Sequence, residues 1–271
     1  MVFIICFIIA IISSFIGAIA GLGGGVILVP SMFLAASISD SFSWATPQTI
    51  VGISLITMIF TSLSSATAYM KSKRVDFQTG LLLLSGSIPG GVLGSWLNSY
   101  FSPKTFLIFF GTLVIVISLL MIVKKEKIPK RTGKHGLQRT VHIAGETYDY
   151  RISVFLAIIL SLAVGILSGL FGIGGGSIMV PAMILLFGMP AHIATATSMF
   201  MIFFVSMIGS ISHVTMGHIA WEYVLFFIPG AWIGGKLGAK VNQLLPGKTL
   251  EWVLRIILIF VGIRMIFQGI S

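Results

Sequence analysis

Two short runs of glycine are the places where this chain could do chemistry. They are Gly21-Leu-Gly-Gly-Gly25, with Pro30 five residues further on, and Gly172-Ile-Gly-Gly-Gly176, with Pro181 at the same distance. Each run falls inside a long apolar stretch. Glycine destabilises a helix interior by roughly 1 kcal/mol relative to alanine, so a triplet followed by proline predicts a break in a helix. Broken backbone at membrane depth is tolerated only where it is buried in protein or lines a cavity. The free amides of such a break, with the positive end of the helix that follows, make an anion site. Gly23, Gly24, Gly25, Gly174, Gly175, Gly176 and the adjacent Ser177 are therefore candidate substrate-binding residues. Close packing of helices is the competing use of small residues in membranes. The doubled motif favours a site. The sets Gly86, Gly90, Gly94 and Gly230, Gly234, Gly238, spaced by four, instead predict packing faces.

Polar residues inside the apolar stretches extend the candidate set. Thr46-Pro47-Gln48-Thr49 predicts a helix start, with threonine as cap and proline in the first turn. Met189-Pro190-Ala-His192 plays the same part later in the chain. Gln48 and His192 thus occupy equivalent first turns, and Ser54 and Ser198 follow each six residues on. With Thr49, Thr195 and Thr197, these side chains can donate hydrogen bonds to the oxygens of a small anion. His192 adds a charge or carries a proton, although capping is an equally good use for it. Serine and threonine in such helices also bond back to their own backbone. His213 and His218 read as interfacial, and Asp76 and Glu222 as charges suited to helix N-termini.

The elements that must position these residues are membrane helices. The 271-residue chain is 56% hydrophobic and 9% charged, with a mean hydropathy of +1.08; a soluble domain carries roughly 25% charged residues. The apolar stretches run 2–20, 26–38, 48–70, 78–97 and 104–123, then 152–171, 177–189, 192–214, 222–242 and 249–267. They lack strand-period alternation, so an all-α polytopic membrane protein is expected rather than a barrel. Residues 124–150 form a polar linker. Its second part, from Thr140 to Tyr150, fits a small hairpin or a solvated linker equally well.

The two halves repeat each other. A constant offset of 144 residues pairs Gln48 with His192, Ser54 with Ser198, Gly86 with Gly230, Gly94 with Gly238 and Asn98 with Asn242. One such match is chance; the set in one register is a duplication. The halves 1–123 and 151–271 each hold five helical segments, and an odd number of crossings turns the second copy over. Loop charges agree. Lys71, Lys73 and Arg74 mark the loop after the third segment as cytoplasmic, while the equivalent loop from Thr215 to Trp221 has no lysine or arginine. The expectation is two inverted-topology repeats with glycine-broken helices and both termini non-cytoplasmic. The short segments 26–38 and 177–189 either cross or dip and return.

Several classes are excluded. The net charge of +10 sits in short loops, where it sets topology, so no nucleic acid is expected as a partner. Cys6 is the lone cysteine, so cysteine supplies neither disulfide nor metal cluster. There is no HExxH and no phosphate loop after either triplet. His192 and Ser198, six apart on one helix, are poorly placed as base and nucleophile. No catalytic residues, metal or cofactor are expected; the partners are a small anion, the lipid bilayer and, among the options left open, a second copy in a homodimer.

The doubled GxGGGxxxxP motif, the stretch Pro190-Ala-His-Ile-Ala-Thr-Ala-Thr-Ser198 and the two-half layout resemble the sulfite exporter TauE/SafE family. The resemblance implies a bacterial or archaeal plasma-membrane permease for sulfur-containing anions such as sulfite, sulfoacetate or other organosulfonates. Gln48 stands where the second half has histidine, so a mechanism needing two titratable groups does not carry over. Taken together, these features predict a secondary transporter with its site between the two broken helices; an anion channel, or a permease for another small anionic metabolite, is the alternative.

Overall fold

The computed structural model describes residues 2–100, 103–122, 137–143 and 146–270. Among the described residues ten α-helices run in chain order: α1 (Val2–Ala20), α2 (Gly25–Ile38), α3 (Pro47–Lys71), α4 (Phe77–Asn98), α5 (Pro103–Ile122), α6 (Val154–Phe171), α7 (Gly176–Leu186), α8 (Ala191–Thr215), α9 (Trp221–Leu244) and α10 (Gly247–Ile270). Among the described residues, six helices are long and apolar enough to cross a membrane: α1, α3, α4, α6, α8 and α9. The protein is an all-α polytopic membrane protein.

Local chemistry sets the helix ends. The Thr46 hydroxyl accepts from the Thr49 amide at 3.2 Å, and Pro47 takes the first helical position of α3, as a cap followed by proline requires. At α8 the proline stands one place earlier. Pro190 is itself the cap residue, with no side-chain bond. Asp76 caps α4 by accepting from the amides of Gln78 and Thr79 at 3.1 and 3.2 Å.

Helices α3 and α8 form the centre and are far more buried than the other four long apolar helices. Around them α4 packs on α6, α1 on α9, α5 on α10, α3 on α9 and α4 on α8. Exchanging the first five helices for the last five maps this set of pairings onto itself. The glycines spaced by four make two of the contacts. A Cβ at Gly90 or Gly94 would lie 2.3 or 2.0 Å from the carbonyl oxygens of Leu162 and Ile166 on α6. At Gly234 and Gly238 it would lie 2.4 and 2.2 Å from those of Ile11 and Phe15 on α1. Only glycine lets backbones approach this closely.

Two short helices interrupt the bundle. The 14 residues of α2 and 11 of α7 span about 21 and 17 Å at ~1.5 Å per residue, well short of the ~30 Å hydrocarbon layer. Helix α7 stops three residues before the end of the apolar run. Gly188, at φ +70°, turns the chain, and the Met189 amide bonds the Met183 carbonyl at 3.1 Å.

Of the polar linker, residues 124–136 and 144–145 lie outside the described residues. The remainder forms a hairpin, β1 (Leu137–Ile143) antiparallel to β2 (Glu146–Ile152). Its Thr140 hydroxyl donates to Asp149 at 2.6 Å.

Candidate functional site: two facing glycine turns

Each glycine run ends one helix and starts another. Gly21, Gly23 and Gly24 have φ of +76°, +79° and +95°, and Gly172, Gly174 and Gly175 have φ of +65°, +70° and +67°. These left-handed conformations favour glycine. The chain leaves α1 at Gly21 and folds back, bringing Gly24 beside Ser13 and Gly17. Helices α2 and α7 then start with left-handed cap residues and no side-chain cap. The first amides of a helix have no intrahelical acceptor. Among the described loop and cap bonds, none starts from the amide of Gly23, Gly24, Gly25, Gly174, Gly175 or Gly176.

The turns face each other. A Cβ on Gly25 would lie 2.2 Å from the Gly172 carbonyl oxygen, and one on Gly176 would lie 2.2 Å from that of Gly21. Met58 and Ile202, each near the middle of its 25-residue helix, both pack against Gly23 and Gly174. The turns therefore meet at mid-helix depth, with a thioether and an isoleucine packed against them.

The candidate hydroxyls divide by role. The Ser54 hydroxyl donates to the Gly172 carbonyl at 2.7 Å, and Ser198 donates to the Gly21 carbonyl at 2.9 Å. Each half thus ties down the other half's turn, which leaves these oxygens as acceptors. Ser177 is fully buried, and its hydroxyl has no partner within the protein. Thr195 is buried against Gly21. Thr197 accepts from the Asp76 amide at 3.0 Å. Gln48, Thr49 and His192 are half-buried in first turns, six, five and six residues from Ser54 or Ser198, so about 8–9 Å along the helix axis. Thr49 pairs with Thr46 at 2.9 Å, and His192 Nδ1 faces Arg74 at 3.3 Å. The structure thus gathers the six glycines with Ser54, Ser177, Thr195 and Ser198, and sets Gln48, Thr49 and His192 apart from them, in the first turns of α3 and α8.

Several residues that build the site were not legible as such. Asn98 donates to the Leu170 carbonyl at 2.7 Å and Asn242 to that of Ile19 at 2.6 Å; Tyr69 donates to the Ala18 carbonyl at 2.8 Å. These bonds satisfy carbonyls that helix ends leave open. A paired asparagine inside two apolar spans was the available signal. His213, near the end of α8, is fully buried within the protein. Burial holds His218, in the loop after α8, below the usual histidine range.

A small cavity touches the second turn. Gly174, Gly175, Gly176, Ser87, Ser168 and Ser198 line it with apolar side chains of α6, α7 and α8, and its volume of ≈ 10 Å³ is about what one water needs. No charged side chain lines it; positive potential there comes from the start of α7, about half an elementary charge. A larger cavity of ≈ 260 Å³ lies among α1, α2 and α10, lined by apolar side chains with Ser31 and Arg264, and touches neither turn.

Near the start of α4, Asp76 gathers further partners. Tyr150 donates to its carboxylate at 2.6 Å, Arg139 pairs with it at 3.0 Å, and Thr79 and Gln78 complete the cluster with short contacts to Asp76 and Arg139. Burial pushes the Asp76 carboxyl upward, but the bonds from Thr79 and Tyr150 and the Arg139 charge outweigh it and hold the group below the usual carboxylate range. Burial and the bond to Asp76 push the Tyr150 phenol up.

A sequence profile described as Sulfite exporter TauE/SafE matches residues 6–265. The chain belongs to this family. This TauE/SafE member is 44% identical over 271 residues to the probable membrane transporter protein YunE of Bacillus subtilis, covering 100% of this chain and 99% of that one. It is 24% identical to YdhB of the same organism, covering 98% and 100% of the two chains, and 26% identical to MJ0441 of Methanocaldococcus jannaschii, covering 96% and 93%. Both are also named probable membrane transporters. No solved structure matches the chain. The TauE/SafE member is a multi-pass membrane transporter, not an enzyme.

Proposed function

We propose that this protein is a secondary transporter of a small sulfur-containing anion, with sulfite, sulfoacetate and other organosulfonates as the substrate class, in a bacterial or archaeal plasma membrane. The observation that carries the reading is the pair of facing turns at mid-helix depth, each presenting the start of a helix with amides unused by the loop and cap bonds. Two such helix starts supply positive potential and N–H donors without a desolvated lysine or arginine. The family's name points to sulfite. The two sets of five helices are inverted repeats in this account, with the Lys71–Arg74 loop cytoplasmic and both termini outside. Rocking of one repeat against the other gives alternating access. Met58, a flexible side chain against both turns, moves aside as substrate enters.

Purified protein in liposomes tests this. Flux of sulfite, thiosulfate and sulfoacetate is expected to saturate with concentration and to be lost in empty vesicles. Absence of flux and of binding for the whole panel would sink the reading, while fast flux without saturation would make the protein a channel.

A further inference from the structure

Buried polar side chains in a native structure nearly always have partners. On one side of this molecule a connected set has none. The hydroxyls of Ser168, Ser95, Ser206 and Ser210 and both ring nitrogens of His213 make no hydrogen bond within the protein, and all five residues are at most 5% exposed. The set is contiguous. Ser168 lines the cavity at the second glycine turn, as does Val205, the neighbour of Ser206. Ser95 lies between α6 and α8: a Cβ at Gly169 would be 2.7 Å from its amide, and one at Gly209 would be 3.6 Å from its hydroxyl. Ser206, Ser210 and His213 follow at helical spacing on one face of α8. The His213 ring sits near the Gly169 carbonyl without reaching bonding geometry, and 5.4 Å from the ring of His218 in the loop after α8.

The positions that the duplication relates to these are satisfied or apolar. Ser62, opposite number of Ser206, bonds back to the Met58 carbonyl at 2.5 Å. Tyr69 stands for His213 and donates to the Ala18 carbonyl. By the 144-residue offset Ala66 and Ala239 stand for Ser210 and Ser95, and by the match of the two glycine runs, 151 residues apart, Gly17 stands for Ser168. At Gly17 there is no space at all, since a Cβ would lie 2.1 Å from the Gly24 amide. On one side of the duplicated scaffold the buried hydroxyls are bonded within the protein, as those of Thr61, Ser62 and Ser65 are; on the other they are left without partners.

We infer that Ser168, Ser95, Ser206, Ser210 and His213 line a narrow polar route from the His218 loop to the second glycine turn, taken by water and by a small oxyanion. Unpartnered hydroxyls and imidazole nitrogens supply the donors and acceptors that a partly dehydrated oxyanion needs, without a fixed charge to trap it. The oxyanion part rests on the transport reading above; the hydrated route stands without it.

The lone cysteine, Cys6, is fully buried, so single-cysteine variants on a Cys6→Ser background are clean probes. Ser206→Cys and Ser210→Cys are compared with Ser62→Cys and Ala66→Cys in proteoliposomes, using the small anion 2-sulfonatoethyl methanethiosulfonate. Size-exclusion elution checks that each variant folds. The route predicts at least tenfold faster modification at 206 and 210 than at 62 and 66, slowed by excess sulfoacetate and not by chloride. Equal, slow modification at all four positions would overturn it. Modification at 206 and 210 without any anion flux keeps the route and sinks the transport reading. Anion flux with unreactive 206 and 210 does the reverse.

Discussion

Replacing Gly25 or Gly176 by alanine is expected to abolish transport and to lower the unfolding temperature markedly. Neither glycine has a positive φ, so the penalty is steric. The added methyl would sit 2.2 Å from a backbone carbonyl oxygen of the opposite turn, and its next neighbours are a serine hydroxyl or an isoleucine methyl and further backbone. Backbone cannot rotate away as a side-chain tip can. Overpacking costs about 1–3 kcal/mol and occasionally more, and a clash with fixed backbone belongs at the upper end. The two turns would be driven apart by roughly 1 Å, a displacement of the size that disrupts preorganised sites. The double variant is expected to cost less than the sum of the singles, because both relieve themselves by the same separation. Gly188→Ala serves as the control. Gly188 has φ +70° and open space around it, so it carries only the ~1–2 kcal/mol left-handed penalty and should keep transport. Unfolding temperature in detergent and proteoliposome flux read the result. A Gly25→Ala protein with unaltered stability and flux would contradict the facing-turn geometry.

The second large effect is at Asp76. Asp76→Ala removes the cap of α4, worth ~0.5–2 kcal/mol, and the acceptor for Tyr150 and Arg139. Hydrogen bonds to a charged group contribute about 1.5–3 kcal/mol each. Arg139 and Tyr150 are not trapped, because the hairpin can lift off and give both to water. Release of the β1–β2 hairpin, rather than unfolding of the bundle, is therefore the expected outcome. Limited proteolysis between 137 and 152 should speed up at least tenfold in Asp76→Ala. Tyr150→Phe, which loses one bond, should give a smaller increase, and Asp76→Asn, which keeps a capping oxygen, should fall between wild type and alanine. The pH dependence has a definite sign. The folded carboxyl titrates below its ordinary value of 3.8, so its contribution is present above that value and is lost as pH falls through the lower, folded one. Docking should hold across the neutral range and fail only in strong acid. Proteolysis unchanged in Asp76→Ala would show that other contacts hold the hairpin.

What could be read from the sequence was mostly what neighbouring residues decide. Glycine triplets break helices because of their own backbone freedom, so both turns were placed to the residue. The Thr46–Pro47 start and the spaced-by-four glycine faces follow from local rules of the same kind. Interactions spanning the chain were hidden. Ser54 and Ser198 were read as donors to substrate, yet each donates to a turn 118 or 177 residues away. Asn98 and Asn242 were visible as a repeated pair but carried no role until the open carbonyls of α6 and α1 appeared beside them. The burial of His213 was hidden as well: it lies two residues from a helix end, and α3 covers it at Gly52. Asp76 was explained by its helix start alone, because Arg139 and Tyr150 reach it from a linker that sequence left open between hairpin and coil.

The central claim is that a small oxyanion sits at a glycine turn, held by the first amides of α2 or α7. Selenite, the selenium analogue of sulfite, tests it directly. Crystals of the protein soaked in selenite and measured at the selenium edge should give an anomalous peak within hydrogen-bond distance of the amides of Gly23, Gly24 and Gly25 or of Gly174, Gly175, Gly176 and Ser177, with Met58 displaced. Selenite bound only elsewhere, with Met58 and Ile202 still closing both turns at saturating concentration, would contradict the account.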